Sequence, residues 1–159
     1  MKQILSLSLA LALCIGLLCG CTDEETTVPH AYEDLTIYIP TDYIDLSGEE
    51  FAQGLSFVFG MNPIAVNGLR EPKSTFTAYG LNLDLEQYGK FLMMSNQVNA
   101  QLQEKDDVRF FSYKAGEYTY VVSLWETEEA FWTVQAYCPT ADYSKVKKDI
   151  WDILSSVTV

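Results

Sequence analysis

The segment EYTYVVSLWETEEAFWTVQAYC, residues 117–138, decides the fold. Aromatic and β-branched residues fill both halves of the segment, and acidic residues lie between them. This pattern predicts two long strands, 117–126 and 130–138, joined by a turn at Thr127-Glu128-Glu129. Side chains of a strand alternate between its two faces, which sorts the residues of each strand into two sets. One set in each strand is mostly apolar: Tyr118, Tyr120, Val122 and Leu124, then Trp132, Val134, Ala136 and Cys138.

The opposite face of this predicted hairpin carries Val121 and three aromatic residues, Trp125, Phe131 and Tyr137. Such a face is too aromatic to be fully hydrated, so we expect something to cover it. Two interpretations stay open. The three rings form ordinary core under a helix, or they form a surface that binds a ligand or a protein partner, for which amphipathic rings are well suited. We take Trp125, Phe131 and Tyr137 as the candidate partner surface.

Shorter strands are predicted on either side of this hairpin. Alternating apolar residues in Leu35-Thr36-Ile37-Tyr38-Ile39-Pro40 indicate a first strand that ends at the proline. Apolar runs at 56–59 and 64–70 indicate a hairpin turning at 60–63, with Asn67-Gly68 as an alternative turn. A further strand is expected at 108–113, before a turn at Ala115-Gly116.

Two helices complete the predicted domain. Asp84 and Gln87 have the spacing of a capping box, which predicts a helix beginning at Leu85. Its expected apolar face comprises Leu85, Tyr88, Leu92 and Ser95, flanked by Phe91 and Met94. Gly89 is expected to allow close packing of this helix. The second helix is expected at 141–156, where Tyr143, Val146, Ile150, Ile153 and Val157 recur at near-helical spacing.

These elements predict an α+β domain over residues 34–159, an antiparallel β-sheet with helices packed on both faces. In chain order, L-T-I-Y-I-P, G-L-R-E-P, D-L-E-Q-Y and E-E-A-F-W-T-V-Q-A-Y-C-P with the tyrosine-bearing last helix resemble the PsbP-like and DcrB-like group. The resemblance spans residues 34–159 and implies an α/β/α sandwich of the kind found in small bacterial lipoproteins. It brings no catalytic motif with it.

The first residues of the chain indicate where the protein resides. Lys2 precedes an apolar run from Ile4 to Leu18, which is typical of a signal peptide and too short for a comfortable membrane span. Leu18-Cys19-Gly20-Cys21 resembles a bacterial lipobox, in which the last cysteine takes a diacylglycerol and becomes the first mature residue. We therefore expect a signal peptide at 1–20, lipidation at Cys21, an acidic tether over 21–33, and residence on the extracytoplasmic face of the cell membrane.

The charge of the chain limits which classes of partner it can bind. Removing the first 20 residues takes one of the ten basic residues, so the mature chain has nine basic and 22 acidic residues and a net charge of −13. Such a surface repels nucleic acid, and the few basic residues form no stripe. We therefore expect no nucleic-acid partner, but a membrane contact through the anchor and a possible envelope or membrane protein partner.

The residues needed for familiar catalytic chemistry are sparse. His30 is the single histidine and falls in the expected tether, so no zinc-protease motif or Ser-His-Asp triad is predicted. Cys138 ends an apolar strand and is expected to pack as a small hydrophobic residue rather than to act as a nucleophile. Glu126, Glu128 and Glu129 lack calcium-loop spacing and are expected to form a solvated turn.

We therefore assign no catalytic residue, no metal ligand and no cofactor. The function expected from the sequence is a non-catalytic binding or accessory module, anchored outside the membrane, whose specific role the residues do not specify. An extracytoplasmic hydrolase with a carboxylate-based site is the alternative, although no pair of carboxylates stands out in the sequence.

Overall fold

A computed structural model describes residues 26–159 of the chain. The expected signal peptide at 1–20 and the expected lipidation site Cys21 lie outside the described residues, and both stay predictions. No helix within the described range is both long and apolar enough to cross a membrane.

The described residues form a seven-stranded antiparallel sheet and a two-stranded sheet. The small sheet consists of β1 (Thr27–Tyr32) and β2 (Leu35–Pro40). The large sheet consists of β3 (Ile44–Asp45), β4 (Phe57–Met61), β5 (Ile64–Pro72), β6 (Gln103–Lys105), β7 (Val108–Ala115), β8 (Tyr118–Glu126) and β9 (Ala130–Pro139). Its strand order is β3-β4-β5-β9-β8-β7-β6. The helices are α1 (Lys73–Thr77), α2 (Leu85–Ser95) and α3 (Tyr143–Ser155), with a short 3-10 helix at Glu50–Ala52.

Regular structure begins earlier than the sequence suggests. Strand β1 pairs with β2 along its whole length, from Thr27 opposite Pro40 to Tyr32 opposite Leu35. The expected tether at 21–33 is therefore wrong for residues 27–32. Pro29 does not prevent pairing because β1 has only one neighbouring strand, and a proline is tolerated on such an edge. The ring of His30, expected in a linker, lies edge-on to Phe59 at 4.6 Å between centroids.

The β4–β5 hairpin turns at Asn62-Pro63, since Met61 lies opposite Ile64. The alternative turn at Asn67-Gly68 is not used, because both residues lie inside β5 and face Val58 and Phe57 of β4. A Cβ atom on Gly68 would lie 2.2 Å from Phe57 Cε1, so the glycine provides room for the ring of its cross-strand neighbour. A pair of residues that suggests a turn in isolation thus serves close packing inside a strand.

The β8–β9 hairpin has a shorter turn than expected. The backbone amide of Thr127 donates to the carbonyl of Ala130 at 2.9 Å, which leaves two residues, Glu128 and Glu129, in the turn. Odd-numbered residues of β8 therefore lie opposite even-numbered residues of β9, as Trp125 does opposite Trp132. Directly opposed residues share a face. The prediction that the even-numbered residues of both strands share one face is therefore wrong, by a register shift of one residue.

The corrected register divides the core into two clusters. The first cluster comprises residues from β2, β4, β5, β7, β8, β9 and α3, among them Ile37, Phe57, Val121, Trp132 and Ile150. The second cluster comprises residues from α1, α2, β7, β8 and β9: Phe76, Tyr88, Met93, Phe111, Val122, Leu124 and Phe131. Val121 and Val122 are adjacent in β8 and belong to different clusters, as the alternation of a strand requires.

Helix α2 begins as the sequence predicts. The Asp84 carboxylate accepts from the Gln87 amide at 2.8 Å, and the Gln87 side chain accepts from the Asp84 amide at 3.0 Å. The expected apolar face is wrong for two residues: Met94 is 73% exposed and Ser95 is exposed, while Met93 is buried instead. Gly89 faces the sheet, and a Cβ atom there would lie 2.6 Å from Leu124 Cδ1, which confirms the expected close packing.

Candidate functional site

The three residues of the predicted partner surface do not lie together. Trp125 packs against the first cluster, and its indole N–H donates to Ser123 Oγ at 3.1 Å. Phe131 belongs to the second cluster and is buried under Tyr88, with ring centroids 4.4 Å apart. Tyr137 shares the face of Phe131 because both are odd-numbered residues of β9, and it is partly exposed. The one-residue register error explains why Trp125 was grouped with the other two.

Tyr137 belongs to a group of tyrosines that we call the tyrosine row: Tyr113, Tyr118, Tyr120 and Tyr137. The rings of Tyr113 and Tyr120 are stacked at 4.8 Å with an angle of 7°, and those of Tyr120 and Tyr137 are stacked at 5.2 Å. Tyr118 meets Tyr137 edge-on at 6.0 Å. The register produces this arrangement, since Tyr120 lies opposite Tyr113 on one side and Tyr137 on the other.

The tyrosine row is accessible. Tyr118 is 43% exposed, and the other three rings are partly exposed. Burial, with the neighbouring Tyr120 as a smaller cause, raises the pKa of Tyr113 above its ordinary value. Burial, followed by Tyr120 and Tyr118, raises the pKa of Tyr137. Both hydroxyl groups therefore stay protonated at neutral pH and can donate as well as accept hydrogen bonds.

A cavity of about 230 Å³ adjoins the row at Tyr113. It lies between the sheet, the last turn of α2 and the segments just before β4 and just after α2. Its lining contains no charged residue, in a chain whose formal net charge is −12. Six apolar side chains line it: Leu55, Leu69, Leu92, Val98, Phe111 and Val122.

The polar part of the lining consists of Asn67, Asn96, Gln135, Thr133 and Tyr113, and we call the whole site the amide-lined cavity. Asn67 lies directly opposite Gln135 across β5 and β9, so their side chains leave the same face of the sheet. Within residues 26–159, Gln135 Oε1 accepts from the Tyr113 hydroxyl at 3.4 Å, while the Asn67 amide group makes no hydrogen bond. The Asn67 amide and the side-chain N–H groups of Gln135 are therefore available to a ligand.

A polar corner at the other end of the sheet has a structural role. Asp34 accepts from Arg70 Nε at 3.1 Å, from Thr127 Oγ1 at 2.6 Å and from Trp132 Nε1 at 2.7 Å. Burial alone would raise the pKa of Asp34, but the hydrogen bonds from these three groups outweigh it and lower the pKa to about 2. Four segments of the chain are thereby held together by one ionised carboxylate.

The acidic turn of the β8–β9 hairpin is partly neutralised by the same corner. Lys73 Nζ lies 2.7 Å from Glu126 Oε1, and Arg70 Nη2 lies 3.7 Å from Glu129 Oε2. Within the described part of the chain, no three His, Cys, Asp or Glu side chains are grouped as metal ligands would be. Glu126 and Glu129 are ion-pair partners of the neighbouring cations.

Cys138 is placed unfavourably for nucleophilic catalysis. Cys138 is fully buried in the first cluster, and burial, followed by the charge of Asp142, raises the pKa of its thiol. A thiol that is buried and protonated is a poor nucleophile. His30 lies in β1 against Phe59.

A second cavity, also of about 230 Å³, lies between the β1–β2 sheet and α3. Its lining includes three aspartates, Asp42, Asp149 and Asp152, together with apolar residues such as Met61 and Ile153. We call it the acidic groove. Asp152 is already paired with Lys148 in an i,i+4 ion pair on the surface of α3.

The architecture is similar to that of the cyanobacterial PsbP protein CyanoP from Synechocystis sp. PCC 6803. The two share 14% sequence identity and a TM-score of 0.58, over 89% of this chain and 96% of that one. The chain has a PsbP-like fold. This confirms the PsbP-like part of the resemblance, and at such low identity it shows the fold alone.

The PsbP-like domain is also similar to a protein of Bacteroides thetaiotaomicron VPI-5482, with 10% identity and a TM-score of 0.55. That match covers 86% of this chain and 48% of the other, so this chain spans about half the length of the Bacteroides protein. No protein-family model and no curated protein matches the sequence.

Sequence reasoning missed the tyrosine row and the amide-lined cavity because both depend on which strands are neighbours. Tyr118 and Tyr120 are two apart in one strand, a signal visible in the sequence. Tyr113 and Tyr137 join them only through the registers of β7 and β9. A two-residue turn at Glu128-Glu129, if assumed at the outset, would have brought Tyr137 opposite Tyr120.

Proposed function

We propose that this protein is a non-catalytic binding or accessory module that contacts an envelope or membrane protein through the tyrosine row. The observation that carries the proposal is the clustering of four partly exposed tyrosine rings on one sheet face, beside an uncharged cavity. Tyrosine is enriched in protein interfaces because it provides a large apolar contact and a hydroxyl at low entropic cost.

The proposal includes the anchor and its cellular location. Leu18-Cys19-Gly20-Cys21 and the preceding apolar run support a lipid on Cys21, which would hold the domain on the extracytoplasmic face of the cell membrane. We further infer an α/β/α sandwich related to the DcrB-like lipoproteins. In support, α3 contributes Ile150 and Leu154 to the first cluster while α2 contributes Tyr88 and Met93 to the second.

The experiment that tests the function is crosslinking in living cells followed by recovery of the neighbouring proteins. The lipidated protein is compared with Cys21→Ser, which lacks the anchor, and with the double variant Tyr120→Ser/Tyr137→Ser, which removes two of the four rings of the tyrosine row. We expect one stoichiometric neighbour that is lost in both variants. Tyr79→Ser is the matched control, since Tyr79 is 83% exposed and lies outside the row.

Two results would contradict the proposal. If Cys21→Ser stays as membrane-bound and detergent-dependent as the parent, the anchor is not at Cys21. If the neighbour is retained equally in the double variant and in Tyr79→Ser, the tyrosine row is not the contact surface.

A carboxylate-based hydrolase is the second candidate, and the acidic groove is the observation that favours it. Asp149 lines the acidic groove and is partly buried on α3. Glycosidases use pairs of carboxylates as their catalytic groups. Asp149→Asn would abolish any hydrolytic activity of the purified protein that resides in this groove. An activity unchanged by this substitution would exclude the groove as its site.

A further inference from the structure

The amide-lined cavity has a composition that selects its occupant. Its lining combines apolar side chains with primary amides, and none of its lining residues is charged. A charged ligand would lose hydration there without gaining an opposite charge, which is costly. An uncharged ligand with an apolar part and hydrogen-bonding groups beside it avoids that cost.

The amides restrict the ligand further. Each primary amide offers a carbonyl acceptor and an N–H donor, which is the same pair that a peptide group presents. Asn67 and Gln135 stand opposite each other on adjacent strands, at the spacing of cross-strand neighbours. Two such groups can bond the peptide units on both sides of one residue, while the side chain of that residue enters the cavity.

Size points to a single side chain. A volume of about 230 Å³ lies below the range of roughly 300–1,000 Å³ typical of pockets for drug-sized molecules. One leucine- or phenylalanine-sized group therefore fits, and the rest of the ligand must lie outside. The tyrosine row begins at Tyr113 on the cavity wall and continues along the same face, where it can contact the neighbouring residues of the ligand.

We infer that the amide-lined cavity binds one apolar anchor residue in an uncharged segment of the partner protein, with Asn67 and Gln135 bonding its peptide groups. This inference rests on the proposed function, because it names the chemistry of the surface that the partner presents. The tyrosine row supplies the surrounding contact, in the way that residues around an interface hot spot exclude water.

Capped amino acids provide a direct test, since each is one side chain between two peptide groups. The full-length protein in detergent micelles is titrated with the N-acetyl N-methylamides of leucine, phenylalanine, glycine, lysine and glutamate. The NMR signals of the side-chain amides of Asn67 and Gln135 are followed. We expect saturable shifts with leucine and phenylalanine, and binding weaker by about tenfold or more with glycine, lysine and glutamate, because burial of an apolar side chain is worth at least that factor.

A variant that fills the cavity keeps the inference falsifiable. Leu55→Trp places an indole at the cavity wall and should abolish the leucine response, while backbone amide signals elsewhere show that the fold persists. Leu81→Trp is the matched control, because Leu81 is 42% exposed and does not line the cavity. Equal responses to all five derivatives, or a leucine response that survives in Leu55→Trp, would overturn the inference.

Maltotriose is titrated in parallel, because a neutral sugar also lacks charge and forms hydrogen bonds with amides. Shifts with maltotriose and none with the leucine derivative would replace the peptide anchor with a saccharide. Failure of the anchor inference is distinguishable from failure of the proposed function. A crosslinked neighbour that depends on the tyrosine row upholds the function even when the capped amino acids do not bind.

Discussion

Two ends of one sheet face use tyrosine in opposite ways. At the covered end, beneath α1 and α2, Tyr88 is fully buried and stacks on Phe131, and its hydroxyl donates to Glu71 Oε2 at 2.6 Å. At the uncovered end, the tyrosine row stacks ring on ring, and its members are all partly exposed.

The difference lies in what the hydroxyl contacts. Tyr88 belongs to α2 and reaches down to Glu71 and Thr133, so its polar tip is satisfied inside the core. The hydroxyls of the tyrosine row have solvent within reach and, apart from the long Tyr113–Gln135 bond, no protein partner among the described residues. Aromatic content alone therefore does not distinguish core from binding surface, whereas the partners of the polar atoms do.

The largest expected contrast is in stability. Tyr88→Ala should lower the free energy of unfolding by about 3–5 kcal/mol, because it removes a buried ring and leaves a cavity. Tyr120→Ala should cost less than about 1 kcal/mol, because the ring is only partly buried. Urea unfolding of both variants measures this, and equal losses would show that the two ends do not differ in their contribution to the core.

Asp34 holds the same end of the sheet on its opposite face, where Trp132 belongs to the first cluster. Asp34→Ala should cost about 2 kcal/mol at neutral pH through lost charged hydrogen bonds. The pKa of Asp34 is lowered to about 2 in the folded protein, so the stabilisation is full above the unfolded value of about 4. It is lost as the pH falls from about 4 to about 2.

Unfolding free energies measured across that range should therefore show a steeper acid loss in the parent than in Asp34→Ala. Asp152→Ala is the control, because its ion pair is on the surface and should contribute about 0.5 kcal/mol or less. Parallel pH profiles for the parent and Asp34→Ala would contradict the role assigned to this carboxylate.

Tyr88→Phe sharpens the comparison at a single atom. It retains the ring but leaves Glu71 and Thr133 without their shared partner, at a cost of about 1–2 kcal/mol. Tyr120→Phe should leave stability unchanged within about 0.5 kcal/mol. Thermal unfolding of the pair measures both, and a neutral Tyr88→Phe would mean that water replaces the hydroxyl.

The smallest effect concerns ionisation. Burial is the largest cause that raises the pKa of Tyr88, and the hydrogen bond to Glu71 raises it further. This phenol should therefore ionise only as the chain unfolds at alkaline pH. Its stabilisation is present below the unfolded value of about 10 and is lost as the pH rises above it. Tyr113 and Tyr137 should ionise while the protein is still folded, at a pH above the ordinary pKa of tyrosine. Absorbance of the tyrosinate form measures this ionisation.

Local patterns in the sequence were sufficient for most of the elements. The capping box at Asp84 and Gln87 and the alternation of Leu35, Ile37 and Ile39 involve only near neighbours, and both are confirmed. Strand β1 was missed because Pro29 and the polar residues around it resemble a linker, and its stability comes from β2.

The candidate site was less predictable because it is non-local. Tyr113, Tyr120 and Tyr137 come from three strands, and a turn one residue shorter than assumed decides which of them meet. The amides of Asn67 and Gln135 likewise come together only through the pairing of β5 with β9. Prediction of this surface therefore required each register, and a one-residue error in a single turn was enough to hide it.

If Cys21 carries a lipid, the early start of β1 limits how far the domain can stand from a bilayer. From Cys21 to Thr27 there are six residue steps, a reach of at most about 20 Å when fully extended. Thr27 lines the acidic groove together with Met61, and β5, which begins just beyond Met61, brings Ala65 opposite Tyr137. With a lipid on Cys21, the short segment from Cys21 to Thr27 would hold the end of the sheet that bears the tyrosine row close to the lipid headgroups. A partner that contacts this row would then have to lie at the membrane surface itself.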